Sequence, residues 1–178
     1  FAHRQLADGL VEKDPWRAAL HARTVLSVHP EDDKAWAVLA LSQTLLNHFK
    51  YAAEAYRNAL KCTPKNPWYA HNLGHLLDVA LGRPEEALQW LRSAYTRKPK
   101  HAEIVASYVH ALARSGQLTE AKRILSVAMK NEGSKELAAL YRWVSKESAS
   151  RDAELAEGRG TRRLTGDSPR RGRSRVSP

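Results

Sequence analysis

The sequence contains little of the chemistry from which catalytic or disulfide-rich proteins are built. Of its 178 residues only Cys62 is a cysteine. This excludes an internal disulfide framework and any zinc or iron–sulfur site with several cysteine ligands. No apolar run approaches the ~18–20 residues that a membrane-spanning helix needs. The motifs of serine hydrolases, phosphate-binding loops and zinc proteases are absent. We therefore expect neither an enzyme nor a bound cofactor.

Acidic residues are scarce at the C-terminal end of the chain. The net charge is +10, and residues 159–178 contain seven arginines and a single acidic residue, Asp167. This segment therefore holds +6 of the charge and leaves +4 for the rest of the chain. Apolar periodicity stops at about residue 149, and Arg, Gly, Ser and Pro take over. We expect residues 149–178 to be a disordered Arg-rich tail.

Two residue types recur along the chain at a nearly constant interval. The first set is Ala18, Ala52, Ala87 and Ala121, separated by 34, 35 and 34 residues. The second set follows the first three alanines by 12 residues each and consists of Pro30, Pro64 and Pro99. Apolar or small residues lie four and seven positions after each alanine, on the same face of a helix. The pattern predicts a helix at each alanine that ends at the proline.

A second helix is predicted before each of the last three alanines. The predicted spans are residues 33–46, 67–81 and 102–115. They are followed by Asn47, Gly82 and Gly116, which tolerate the left-handed conformation that ends a helix. Each unit is therefore a helix, a tight turn and a second helix. The extra residue of the 35-residue interval lies between Gly74 and Gly82, where we expect a bulge or register shift.

These intervals divide the chain into four units and a final helix. The predicted units are residues 1–32, 33–66, 67–101 and 102–133. The first helix of the first unit, at about residues 2–11, is degenerate. Leu137, Leu140, Tyr141 and Val144 recur with helical spacing. They predict an amphipathic capping helix over residues 134–148, which would cover the open end of the stack.

The repeat resembles the tetratricopeptide repeat (TPR) family over roughly residues 2–148. The residues that carry the resemblance are Trp36-x₂-Leu39-Ala40, Ala70-x₂-Leu73-Gly74, Ala52-x₃-Tyr56 and Pro64. Ala40 replaces the usual glycine, and Gly133 stands where the third full unit would have its proline. The resemblance implies an all-α fold, a right-handed α-solenoid of about four helix-turn-helix repeats. It also implies a non-catalytic adaptor or scaffold for protein–protein interaction.

The resemblance further implies a concave groove lined by the first helix of each unit. Carried onto this sequence, the groove positions give a peptide-binding set of Lys34, Trp68, His71, Asn72, His75, Ser107, His110 and Arg114. Asn72 resembles the groove asparagine of peptide-binding members, whose amide both donates to and accepts from a ligand backbone. The set contains imidazoles and a guanidinium but no carboxylate. We therefore expect a partner segment with acidic and apolar residues.

Two narrower interpretations of the groove are less favoured. His71 and His75 lie four residues apart and, with His110 or Asp78, suggest a metal site, but no second pair reinforces it. A clamp for C-terminal carboxylates, found in some chaperone-binding TPR proteins, needs lysines, asparagines and an arginine. The corresponding positions hold Ala37, Leu41, Asn72, Glu103 and Ser107, of which only Asn72 matches. We predict neither a metal site nor this clamp.

Two other functions remain open from the sequence. The arginines of residues 170–175 could bind nucleic acid phosphates, weakly and without specificity because no aromatic residue is there to stack on bases. The chain begins with Phe1 rather than methionine, which suits an interaction module of a larger enzyme or of a secretion or assembly machine. The lone Cys62 fits a reducing compartment, and we expect a cytoplasmic location.

Overall fold

The computed structural model describes residues 9–131 and 135–164, which fold into helices joined by short turns. The helices are α1 (Pro15–Val28), α2 (Asp33–Leu45), α3 (Phe49–Cys62), α4 (Pro67–His75), α5 (Pro84–Arg97), α6 (Ala102–Arg114), α7 (Leu118–Asn131) and α8 (Lys135–Leu164). A π-helical turn, Leu76–Ala80, continues directly from α4. Within the described ranges there is no strand, so the predicted all-α class is confirmed. Most of the predicted first helix lies outside the described residues.

The helices contact one another as successive layers of a stack. Three pairs, α2 with α3, α4 with α5 and α6 with α7, each form a helical hairpin. Each pair then contacts the next one along the chain, and α4 also contacts α6 across the intervening helix. Because the contacts among the described helices run mainly from each pair to its neighbours, this is the solenoid that the repeat predicted.

Local sequence signals explain where the helices begin and end. The Asp14 carboxylate accepts a hydrogen bond from the Arg17 backbone N–H at 3.1 Å, and Asp32 caps α2 in the same way through Ala35 at 3.0 Å. At the turns between paired helices, Asn47, Gly82 and Gly116 have φ angles of 60°, 65° and 84°. The left-handed turns expected at these three positions are therefore confirmed.

The recurring small residues lie where helices touch. Ala18, Ala52, Ala87 and Ala121 are all fully buried. Gly74 of α4 lies directly against Leu91 of α5, so that a Cβ atom added to Gly74 would be 2.5 Å from Leu91 Cγ and 3.2 Å from its backbone nitrogen. Only a residue without a side chain fits at this crossing, so Gly74 sets the distance between the two helices.

The bulge expected from the 35-residue interval is present as the π-helical turn. The Leu81 N–H donates to the Leu76 carbonyl at 3.1 Å, a bond that spans five residues instead of four. The Arg83 N–H then closes the helix by donating to the Leu77 carbonyl at 2.8 Å. A π turn accommodates one inserted residue without breaking the helix. This turn therefore ends α4 at His75 and absorbs the extra residue.

The predicted capping helix ends at residue 148, whereas α8 continues to Leu164. Disorder of the C-terminal tail stays a prediction. The added stretch, residues 149–164, is rich in Ala, Glu, Arg and Leu, which favour a helix without needing a buried apolar face. The loss of apolar periodicity was therefore a poor guide to the helix end. Arg151 still touches the stack, since its guanidinium lies against Gly116. The rest of the predicted tail, residues 165–178, is outside the described residues.

Replacing Gly74 with alanine should destabilise the fold although alanine is the better helix former. The added methyl group meets both the side chain and the backbone of Leu91, and we expect a loss of about 1–3 kcal/mol in the free energy of unfolding. Urea titration measures this loss.

Gly82→Asn is the matched control, because Gly82 has open space around its Cβ position and Asn47 occupies the corresponding turn with nearly the same φ. If Gly74→Ala costs no stability, or no more than Gly82→Asn, the close contact of Gly74 with Leu91 does not limit the side chain at position 74.

Candidate peptide-binding groove

Six of the eight predicted groove residues lie together between α4 and α6. Four of them form one cluster, His71, Asn72, His75 and Ser107, which we call the histidine–serine cluster. His110 and Arg114 form a second cluster around Asp78 of the π turn, which we call the Asp78 cluster. The two clusters are adjacent, since the Asp78 carboxylate is close enough to His75 to oppose the lowering of its pKa.

The Ser107 hydroxyl joins the two imidazoles of the histidine–serine cluster. Its Oγ lies 3.0 Å from His71 Nε2 and 3.3 Å from His75 Nδ1. The two rings stack with centroids 6.0 Å apart. Asn72 is attached to the same cluster, because its Oδ1 is 3.3 Å from His71 Nδ1 while its amide donates to the Tyr56 hydroxyl at 3.3 Å. The cluster therefore presents neutral donors and acceptors that are already oriented.

Partial burial keeps both imidazoles of this cluster uncharged. Desolvation lowers the pKa of His71, and the neighbouring His75 lowers it further. Desolvation also lowers the pKa of His75, against the opposing effect of the Asp78 carboxylate. Burial raises the pKa of the Tyr56 phenol to about 12, so this hydroxyl also stays neutral. Protonation of the cluster therefore needs a more acidic solution than an ordinary histidine does.

Asp78 lies at the centre of this face, although its position in the sequence suggested only a possible metal ligand. Its side chain is buried and accepts hydrogen bonds from two side chains of the α6 face, His110 Nδ1 at 2.5 Å and Arg114 Nη1 at 2.9 Å. Arg114 also donates to the Asp78 backbone carbonyl. On its outer side the His110 ring stacks against Trp143 of α8, with centroids 5.4 Å apart. The π turn, α6 and α8 are thus joined through one carboxylate.

Two cavities open along this face and meet at His75 and Val79. The larger one, about 590 Å³, lies between the π turn, α6 and α8 and is called the C-terminal cavity. Its apolar wall consists of Val79, Ala106, Ala139, Leu140 and Trp143. The smaller one, about 360 Å³, lies toward α2 and α3 and is called the N-terminal cavity. Its apolar wall consists of Leu41, Phe49, Leu76, Val79 and Ala80.

The other two predicted residues, Trp68 and Lys34, lie apart from the clusters. Trp68 is 43% exposed and meets His101 edge to face, with ring centroids 4.9 Å apart. Trp68 therefore contacts the residue that immediately precedes α6. Lys34 is exposed beside the acidic loop that contains Glu31 and Asp32. Among the described residues, no group of three or more metal-ligating side chains is placed to hold an ion.

The geometry defines a class of protein, an α-solenoid of helical hairpins with a groove along its first helices. Two family models described as "Tetratricopeptide repeat" match residues 55–89 and 78–144. Together they span half of the chain. The chain belongs to the TPR family.

Solved structures of the same fold cover most of the chain at low identity. MamA (AMB-1) is 14% identical, with a TM-score of 0.75 and coverage of 92% of this chain and 98% of its own. YrrB is 17% identical, with a TM-score of 0.68 and coverage of 88% and 90%. PilW is 21% identical, with a TM-score of 0.66 and coverage of 85% and 77%. These likenesses show the fold. A comparison with curated protein sequences gives no match.

Acid should weaken the fold through the histidine–serine cluster. Because the folded-state pKa values of His71 and His75 lie below the ordinary 6.5, the unfolded chain binds more protons as pH falls through that range. Their full contribution to the free energy of unfolding is present above pH 6.5. It decreases as the pH falls from 6.5 toward the folded-state pKa values. Urea titrations at about pH 7.5 and about pH 5.5 measure this decrease.

The double variant His71→Gln with His75→Gln should lose less stability between the two pH values than the wild type. His29→Gln, which removes an exposed histidine, is the control. A pH dependence identical in the wild type and the double variant would contradict the assignment.

The contact between Asp78 and Arg114 should be worth more than a surface ion pair. A double-mutant cycle with Asp78→Asn and Arg114→Met should give a coupling of about 1–3 kcal/mol, because the carboxylate is buried and would otherwise lack a charged partner. The exposed pair Asp14–Arg17, tested with Asp14→Asn and Arg17→Met, should couple by about 0.5 kcal/mol or less. Equal couplings would mean that Asp78 has no special role.

Proposed function

We propose that this chain is a non-catalytic adaptor that binds an extended segment of a partner protein in the groove between α4 and α6. The observation that supports this most directly is the pair of cavities that meet at His75 and Val79, next to the polar groups of the histidine–serine cluster. Apolar cavities beside a few oriented polar groups are the usual form of a binding site.

The family supports the same proposal at a coarser level. TPR repeats are typically interaction modules rather than catalysts. One protein with this fold, YrrB, is described as a TPR protein with an unusual peptide-binding site, and another, PilW, as a type IV pilus biogenesis factor. Their identities to this chain are too low to transfer a partner, so the partner is inferred from the groove itself.

In this mechanism the histidine–serine cluster binds the backbone of the partner. The Asn72 amide can exchange its Tyr56 contact for a carbonyl of the partner, and its oxygen can accept a backbone N–H. Ser107 offers the same exchange from the opposite wall, since both of its bonds are to neutral imidazoles. The half-exposed ring of Trp68 lies on the same helix as Asn72 and would contact the partner at the end of the segment.

We do not retain the expectation that the partner segment is acidic. That expectation treated His110 and Arg114 as available cations, but both bind the Asp78 carboxylate. The apolar half is supported by the walls of the two cavities. A partner that is mainly apolar along the bound segment fits the groove better than an acidic one.

The remaining expectations stay predictions. None of the described helices has the length and apolar composition that crossing a bilayer requires. Cys62 is an exposed free thiol, as a cytoplasmic location would suit. Nucleic-acid binding still depends only on the arginines of the C-terminal segment, since residues 165–178 are outside the described part of the chain.

Peptides selected from a random display library of about twelve residues on the immobilised full chain provide the test. Asn72→Ala and Ser107→Ala should each weaken binding of a selected peptide about fivefold or more, which corresponds to roughly 1 kcal/mol for a lost buried hydrogen bond. Fluorescence polarisation measures the change.

Tyr51→Ala is the control, because Tyr51 is 71% exposed on α3 and lines neither cavity. Peptides that bind the wild type and both groove variants equally would place the binding surface elsewhere and contradict the proposal.

A further inference from the structure

The π turn gives this groove a shape that a regular repeat would lack. Val79 belongs to the five-residue turn that absorbs the inserted residue, and its side chain is 55% exposed. It lines both cavities, so that it forms an apolar ridge between them. Together with the apolar walls of the two cavities, the exposed valine forms a contiguous apolar patch, which is the kind of surface that marks an interaction site. The groove is thereby divided into two apolar compartments.

In each compartment the large exposed part of the apolar wall, apart from Val79, comes from a different part of the stack. In the C-terminal cavity this part is the Trp143 ring, which is 37% exposed and held in place by stacking on His110. In the N-terminal cavity it is Leu41 of α2, also 37% exposed, together with Phe49. Both volumes are within the range of sites that enclose a bulky side chain. The compartments can therefore be filled independently.

The charges around the ridge exclude a charged occupant. The Arg114 guanidinium is paired with the buried Asp78 carboxylate, and the His110 ring is hydrogen-bonded to the same carboxylate. Glu103 lies close enough to His71 and His75 to influence their pKa values, so an acidic segment would meet a like charge. A basic side chain would lose its hydration against the apolar walls of the two cavities, which is costly for a charged group. An uncharged apolar segment avoids both costs.

We propose that the partner segment is uncharged and extended, and that it carries two apolar side chains, one on each side of the Val79 ridge. This inference rests on the proposed function and specifies its partner chemistry. The backbone between the two anchors passes over Val79, where Asn72, His75 and Ser107 supply hydrogen bonds. Specificity then comes from the spacing of the two anchors and from the absence of charge.

The first test is the consensus of peptides selected on the full chain from the random library described above. The expected result is a consensus with two apolar residues at a constant spacing and no acidic or basic residue between them. A consensus dominated by acidic residues, by basic residues or by a single apolar position would overturn the inference.

The second test measures binding of a selected peptide to ridge and wall variants. Val79→Asp and Trp143→Ala should each weaken binding at least about tenfold. The matched controls are Val127→Asp and Trp16→Ala, because Val127 and Trp16 are exposed residues on α7 and α1 that line neither cavity. These controls should change binding less than about twofold. Circular dichroism melting confirms that every variant is folded.

The third test assigns the anchors by removing one at a time. When the peptide residue that fills the C-terminal cavity is changed to serine, Trp143→Ala should cause no further loss, whereas Val79→Asp still should. Loss of binding in Asn72→Ala without any loss in Val79→Asp and Trp143→Ala would overturn the two-anchor inference while the groove itself stands. Insensitivity to all three substitutions would overturn the proposed function as well.

Discussion

The buried carboxylate of Asp78 is the constraint on which the arrangement of the groove depends. It lies on the π turn at the end of α4 and holds His110 and Arg114 of α6, and through His110 it supports Trp143 of α8. A buried carboxylate needs charged or hydrogen-bonded partners, because its desolvation is otherwise too costly. The positions of the π turn, α6 and α8 relative to one another are therefore coupled through this one side chain.

The same residue explains why a face that contains three histidines and an arginine is not a strongly basic surface. His110 and Arg114 both bind the buried Asp78 carboxylate. The other two imidazoles, His71 and His75, share the Ser107 hydroxyl and have lowered pKa values. What remains exposed beside them is apolar, including Val79 and Trp143. The carboxylate that determines the chemistry of this face lies on the π turn that accommodates the extra residue.

The regular part of this structure could be predicted because the residues that must be small at helix contacts recur at the repeat period. Ala87 and its equivalents must be small where helices touch, and Gly82 and Gly116 must adopt a left-handed turn, so their spacing defines the helices. The position of the irregularity was also predictable from the 35-residue interval. The individual contacts were not, because the period carries no information on which cation pairs with Asp78.

The end of α8 was missed for a related reason. Beyond residue 148 the helix depends on the intrinsic helix preference of its residues rather than on an apolar face. The spacing of apolar residues, which indicated the other helices, therefore could not indicate this one. Trp143 belongs to the part of α8 that was predicted, yet its contact with His110 follows from the orientation of the last helix against the stack. Such a contact is a property of tertiary packing.

A structure of the variant that lacks Ala80 would test the central claim most directly. This deletion removes the extra residue and restores a 34-residue interval between Ala52 and Ala87. We predict a regular α-helix throughout the segment and an Asp78 side chain that no longer binds both His110 and Arg114, with the rest of the solenoid unchanged. If the variant keeps both contacts and the same two cavities, the inserted residue does not determine the groove, and the account is wrong.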